Sequence, residues 1–106
     1  MNTSLINVEL LYFDGCPSYK TAWQDLLEAI SEHNLEAAIR PIKIDSLEKA
    51  DMFHFAGSPT IKINGQDLEG YAGAGVMACR RYEENAGKGW PSKQLLTEQL
   101  LKAREI

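Results

Sequence analysis

The strongest constraint on the fold is a change of period around Cys16. Leu5, Ile6, Val8, Leu10, Leu11 and Phe13 form a nearly continuous apolar run. Such a run reads as a central strand buried on both faces, with parallel neighbours. Asp14 and Gly15 make a turn, Cys16 and Pro17 follow, and then Ala22, Trp23, Leu26, Leu27 and Ile30 recur at helical spacing. Proline suits the first helical position, where its missing N–H has no intrahelical acceptor in any case. The pattern therefore sets Cys16 at or next to an N-cap, where unpaired backbone N–H groups and the positive dipole end converge. A field of that kind lowers a cysteine pKa from about 8.5 toward neutrality. This stretch predicts an exposed, activated thiol between a strand and a helix.

The remaining pattern completes an alternating α/β chain. Asn34 is placed to close the first helix in a left-handed conformation. A second strand is expected over about residues 37–44, and Pro41 inside it sends it to a sheet edge, since proline cannot donate to a ladder. Asp45 and Glu48 resemble a capping box for a short helix over Leu47, Ala50 and Phe53, ending near Gly57. Ile61-Lys62-Ile63 and residues 66–69 flank Asn64-Gly65, a pair that favours a two-residue hairpin turn. Residues 71–75 are glycine-rich and read as a loop. Residues 76–84 suit a helical turn or two, and Ser92 caps a last helix with Leu95, Leu96, Leu100 and Ala103 on one face. The expected architecture is a single α/β domain over residues 1–106, a four-stranded mixed sheet flanked by helices.

Composition narrows the function classes. A chain of 106 residues with 44% hydrophobic and 25% charged residues can bury one core. A net charge of -4, with Arg80-Arg81 the only adjacent basic pair, argues against a nucleic-acid partner. Neither a basic leader nor a membrane-length apolar segment is present, so the expectation is a cytoplasmic protein with no membrane partner. Two cysteines do not make a secreted disulfide framework. They read as free thiols or as a transient redox or metal pair, with no resident cofactor expected.

Three motifs resemble a known superfamily. Tyr12 to Pro17 gives Tyr-Phe-x-Gly-Cys-Pro, Gly57 to Gly65 gives Gly-Ser-Pro-Thr-Ile-x-Ile-x-Gly, and Cys79 to Tyr82 gives Cys-Arg-x-Tyr. Together with the element order they resemble the thioredoxin-like fold, and within it small bacterial thioredoxin-like proteins, some of which carry an alkylmercury lyase-like label. The resemblance spans about residues 7–69 and resumes with the closing helix. It implies a cis-proline at Pro59 facing Cys16, with the Ser58 backbone offered to an extended substrate. Gly15, Pro17, Tyr19, Ser58, Pro59 and Thr60 would then line the substrate site. The chain departs from the dithiol pattern at Tyr19, which stands where a Cys-x-x-Cys motif has its second cysteine. A lone Cys16 can form a mixed disulfide but has no neighbour in its motif to resolve it.

Each candidate has a functional and a plain reading. Cys16 is either a nucleophile or a small buried core residue. Cys79 is either a resolving thiol, a second metal ligand, or a buried residue of a short helix, because sequence does not fix disulfide geometry. Asp14 is a turn residue and a candidate proton donor. Tyr19 is an exposed helix residue or a hydrogen-bond donor to the thiolate. Arg80 and Arg81 read as solvated surface arginines, and His33 and His54 match no zinc spacing. Trp23 reads as core and Trp90 as packing for the last loop. Three functions follow. The first is thiol–disulfide redox chemistry with Cys16 as nucleophile and Cys79 resolving, acting on a protein or small-molecule thiol or disulfide. The second is soft-metal binding of mercury, copper or zinc by the two thiolates. The third is a non-catalytic peptide-binding module that uses the groove at Pro59, and either a monomer or a homodimer is compatible with all three.

Overall fold

The computed structural model describes residues 5–104, so the leader reading falls partly on residues 1–4, outside them. The elements are β1 (Ile6–Tyr12), α1 (Tyr19–Glu32), β2 (Ala37–Lys43), α2 (Leu47–Met52), β3 (Thr60–Ile63), β4 (Gln66–Asp67) and α3 (Lys93–Arg104). A short 3-10 turn at Glu83–Asn85 precedes α3. The sheet has the order β2-β1-β3-β4. β1 runs parallel to β2 and antiparallel to β3, so its neighbours are mixed rather than all parallel. Pro41 lies on the edge strand opposite Leu10, where a missing N–H costs no ladder bond on the outer side.

Successive side chains of a strand point to opposite faces, and β1 uses both. Ile6, Val8 and Leu10 pack with Ile61 and Ile63 against Ala22, Leu26 and Ala29 of α1 and Leu96, Leu100 and Ala103 of α3. Leu11 turns the other way and meets Ile44, Ala50 and Phe55, with α2 covering that face. Burying each such leucine or isoleucine contributes about 1.5–3 kcal/mol, which fixes the register of the strand from which the site projects. Ser92 Oγ accepts the Leu95 N–H and caps α3 as its position suggests. Asn34 has a φ of 54°, and Asn64 and Gly65 have φ of 51° and 85°, the positive pair that a two-residue hairpin needs.

Four local expectations are corrected. α1 has Ser18 as its N-cap, so Pro17 precedes the cap and Cys16 lies one residue further out, where it is 2% exposed and not the exposed thiol expected. Leu27 is 42% exposed, because the inward face of α1 runs through Ala22, Leu26 and Ala29. α2 is capped by Ser46, whose Oγ accepts the Lys49 N–H, instead of by an Asp45–Glu48 box. Residues 76–82 form no helical turn; they run as an irregular, largely extended segment with bridges at Cys79 and Tyr82. The last correction matters most, because that segment completes the site. Among the described residues no helix is long and apolar enough to cross a membrane.

Candidate functional site

The site forms where three pieces of chain meet at one end of β1 and β3. β1 delivers the turn Phe13–Gly15 and then Cys16, whose N–H reaches back to the Phe13 carbonyl at 3.4 Å. The chain enters β3 through Ser58–Pro59, and that peptide bond is cis. Ser58 is fully buried, and its Oγ accepts the Phe13 N–H at 3.1 Å, tying the end of β1 to the start of β3. The third piece, residues 75–82, crosses this junction and brings Cys79 to Cys16. The two cysteines are 63 residues apart in sequence and form a disulfide with Cα atoms 5.7 Å apart, within the span such a bond requires.

The crossing segment is held by contacts that do not involve sulfur. Val76 N–H donates to the Phe55 carbonyl at 2.7 Å, and Gly75 N–H to the Asp51 carboxylate at 2.7 Å. Ser58 N–H donates to the Ala78 carbonyl at 2.8 Å, and its own carbonyl accepts the Arg80 N–H at 3.1 Å. Cys79 therefore lies beside Ser58 as a short parallel strand would. An extended substrate placed at Ser58 would find both backbone groups already taken by Ala78 and Arg80. The Tyr82 hydroxyl donates to the Pro59 carbonyl at 2.6 Å and so clamps the far end.

Arg80 is the anchor, and its burial corrects the expectation of a solvated arginine. Its residue is 7% exposed, and its guanidinium makes a forked pair with Asp67 at 2.6 and 2.8 Å. A further bond reaches Glu69 at 3.0 Å, and the guanidinium lies 4.6 Å from the centre of the Tyr82 ring. Burial alone pushes the Asp67 carboxyl up, but the Arg80 hydrogen bonds and charge, with the N–H groups of Glu69 and Tyr71, outweigh it and hold that carboxyl below its usual range. Burial likewise works against the charge on Arg80, yet Asp67, Tyr82 and Glu69 keep it raised. Tyr82 is pushed up mainly by burial, so its hydroxyl stays a donor. Arg81, in contrast, is exposed as expected.

The other expected site residues are distributed around this junction. Pro17 is exposed and Gly15 lies against the Phe13 ring, both in the turn beside Cys16. Thr60 is fully buried and serves the turn itself, accepting the Ala56 N–H and donating to the Gly57 carbonyl. Tyr19 stacks on Tyr12 with ring centres 4.4 Å apart and lines an apolar depression with Leu10, Trp23 and Pro41. Asp14 pairs with Lys43 at 2.8 Å, which commits its carboxylate to the edge strand. His33 ends α1, and His54 Nδ1 lies 2.9 Å from the Gly73 carbonyl. Among the described residues no group of three or more His, Cys, Asp and Glu side chains is placed to hold a metal ion.

Sequence reasoning assigned no role to Asp67, Tyr82 or Gly75. A signal for Tyr82 exists: Arg80 and Tyr82 are two apart, so in extended chain they share a face opposite Cys79 and Arg81. Gly75 was legible only as a loop residue. A Cβ there would overlap the backbone of Ala50 and Asp51 in α2, so glycine permits the segment's close approach. Gly75→Ala is expected to lift the segment at its first anchor and slow disulfide formation, with α1 and α3 unaffected. The rate of disulfide closure after dilution from reductant, followed by alkylation and mass, checks this; an unchanged rate would dismiss the role of that approach.

Comparison of the chain with family models, with curated proteins and with solved structures finds no match.

Proposed function

We propose that the chain is a thioredoxin-like thiol–disulfide redox domain whose working pair is Cys16 and Cys79. The observation that supports this reading is the meeting of the two cysteines at the N-terminal side of α1, beside Ser58–cis-Pro59. The missing second cysteine of a Cys-x-x-Cys motif is supplied from a distant segment instead. That removes the objection raised by Tyr19, because a mixed disulfide on either sulfur has a partner thiol in the same chain to resolve it. The element order, the edge strand with Pro41 and the proline entering β3 agree with the resemblance. A protein or small-molecule thiol or disulfide in the cytoplasm is the partner this reading takes.

A redox-buffer series, with alkylation and peptide mapping at each point, tests it. A monomeric Cys16–Cys79 crosslink that forms and breaks reversibly, and is lost in Cys16→Ser and Cys79→Ser alike, is the expected result. Two thiols that alkylate independently at every buffer ratio would end the redox reading.

A further inference from the structure

We propose that Cys79, not Cys16, is the sulfur through which the pair exchanges with an external thiol, Cys16 acting as the leaving and resolving thiol. The inference rests on the redox reading of the pair and assigns the order of its steps. Sequence position alone favours the opposite order, since a cysteine before a helix is the favoured attacking thiolate. Access decides otherwise. A thiolate attacks a disulfide along the sulfur–sulfur line, from the side away from the leaving sulfur, so the attacked atom needs open space behind it. Cys16 is 2% exposed, so protein closes the space in which an attacker would have to stand. Cys79 is exposed and lines a surface depression of about 500 Å³ with Ala56, Glu69, Gly70, Tyr71 and the two arginines.

Charge and chain direction support the same entry. Arg80 points inward to Asp67 and Glu69, whereas the exposed Arg81 lies at the depression that Cys79 shares. Glu69 is the acidic group there, and its carboxylate is bonded to Arg80. A cation at that rim favours an approaching thiolate. Cys16 has the better leaving position, because the N-cap of α1 follows two residues later and Ser18 makes no side-chain capping bond to the helix's first N–H groups. A thiol of lower pKa leaves faster, and a helix N-terminus favours the thiolate.

Reduction of the pair begins when an external thiolate forms a bond to Cys79 Sγ. The Cys16–Cys79 bond breaks, and its electron pair leaves on Cys16 Sγ. A second external thiolate then attacks the outer sulfur of the mixed disulfide, giving an external disulfide and the Cys79 thiolate. The protein has gained two electrons and the two thiols have lost them. In reverse, the Cys79 thiolate attacks a substrate disulfide and expels one substrate thiolate. The Cys16 thiolate then attacks Cys79 Sγ and releases the other.

Sulfite cleavage of the oxidised wild-type protein tests this directly, because sulfite leaves a sulfonate on the sulfur it attacks and a thiolate on the other. Native protein is treated briefly with sulfite in the presence of an alkylating agent, then mapped by peptide mass. The expected product carries sulfonate on Cys79 and the alkyl group on Cys16, in at least about tenfold excess over the reverse. Arg81→Ala should slow the cleavage several-fold at low salt without changing the site of attack. Sulfonate on Cys16, or a comparable split, overturns the proposal while leaving a reversible disulfide and the redox reading in place. A native disulfide that sulfite does not cleave, though it does so after denaturation, also overturns it. Absence of any disulfide in oxidised protein removes both.

Discussion

Reducing the Cys16–Cys79 bond is expected to lower the melting temperature by about 15–20 °C. The bond spans 63 residues of sequence, so it ties β1 to a segment that an unfolded chain would rarely bring near. The chain-entropy account puts the denatured-state restriction of such a loop at about 4 kcal/mol. Domains of this size have about 5–15 kcal/mol in total, so a reduced protein that stays folded would lose a large part of its margin. The same free energy must appear in the redox equilibrium: folding should make the disulfide about 80–90 mV harder to reduce than in the unfolded chain. Thermal scans of oxidised protein, reduced protein and the Cys16→Ser/Cys79→Ser double variant measure the effect. A shift of less than about 5 °C would mean that the folded dithiol gains a compensating stabilisation, as a thiolate held at the head of α1 would provide. In either case the crossing segment should keep its place in the reduced protein. Its bonds from Ser58, Arg80 and Tyr82 do not involve sulfur, and hydrogen exchange at the Ser58 and Arg80 amides reads this out.

The sheet and the helices were legible because their signals are local. Ile6 to Leu11 has only one comfortable place in a domain of this size, although Leu5, read as part of the same buried run, is 52% exposed. Pro41, Asn64-Gly65 and Ser92 each fix a neighbour through local chemistry. The site was legible to the extent that it lies on those elements: Cys16 follows a strand and precedes a helix in any reading. What was not legible is the course of residues 75–82. Val76, Met77, Ala78 and Cys79 have neither alternation nor helical period, and their path is set by partners elsewhere in the chain, at Asp51, Phe55 and Ser58. The capping box at Asp45 failed for a related reason. Two adjacent residues, Asp45 and Ser46, can each cap, and the packing of Ala50 and Phe55 beneath β1 selects the phase of the helix. Arg80 shows the limit most clearly. An adjacent Arg-Arg pair reads as surface from composition, and only the hairpin that places Asp67 and Glu69 opposite it makes one of the two a buried group.

That buried group leads to the second large effect. Asp67→Asn is expected to destabilise the protein by about 3–5 kcal/mol, since it removes the buried forked partner of the Arg80 guanidinium and leaves it only the partly exposed Glu69 carboxylate. The Arg80 and Asp67 side chains are nearly closed to solvent, at 7% and 1% exposure, so water cannot replace the lost partner. Tyr82→Phe, which removes the donor to the Pro59 carbonyl, should cost less, about 1–3 kcal/mol. Replacing the pair together, Arg80→Met with Asp67→Leu, should recover much of the loss, because the charge that needs a partner is then gone. The sign of the pH dependence follows from the lowered Asp67 pKa. The pair contributes fully above the ordinary carboxyl value of 3.8 and is lost as pH falls through the lower folded value. Urea midpoints of wild type and Asp67→Asn should therefore be well separated at neutral pH and converge in acid; a constant separation would remove the ion pair as the cause. Arg80 follows Cys79 directly, so the variant also reports on the thiol. Once the guanidinium is free to leave, the effective concentration of Cys79 at Cys16 should drop roughly tenfold for each 1.4 kcal/mol of anchoring lost. Disulfide closure from the reduced state should slow in proportion, whereas a variant that melts lower but closes at the wild-type rate would show that the pair stabilises the fold without positioning the sulfur.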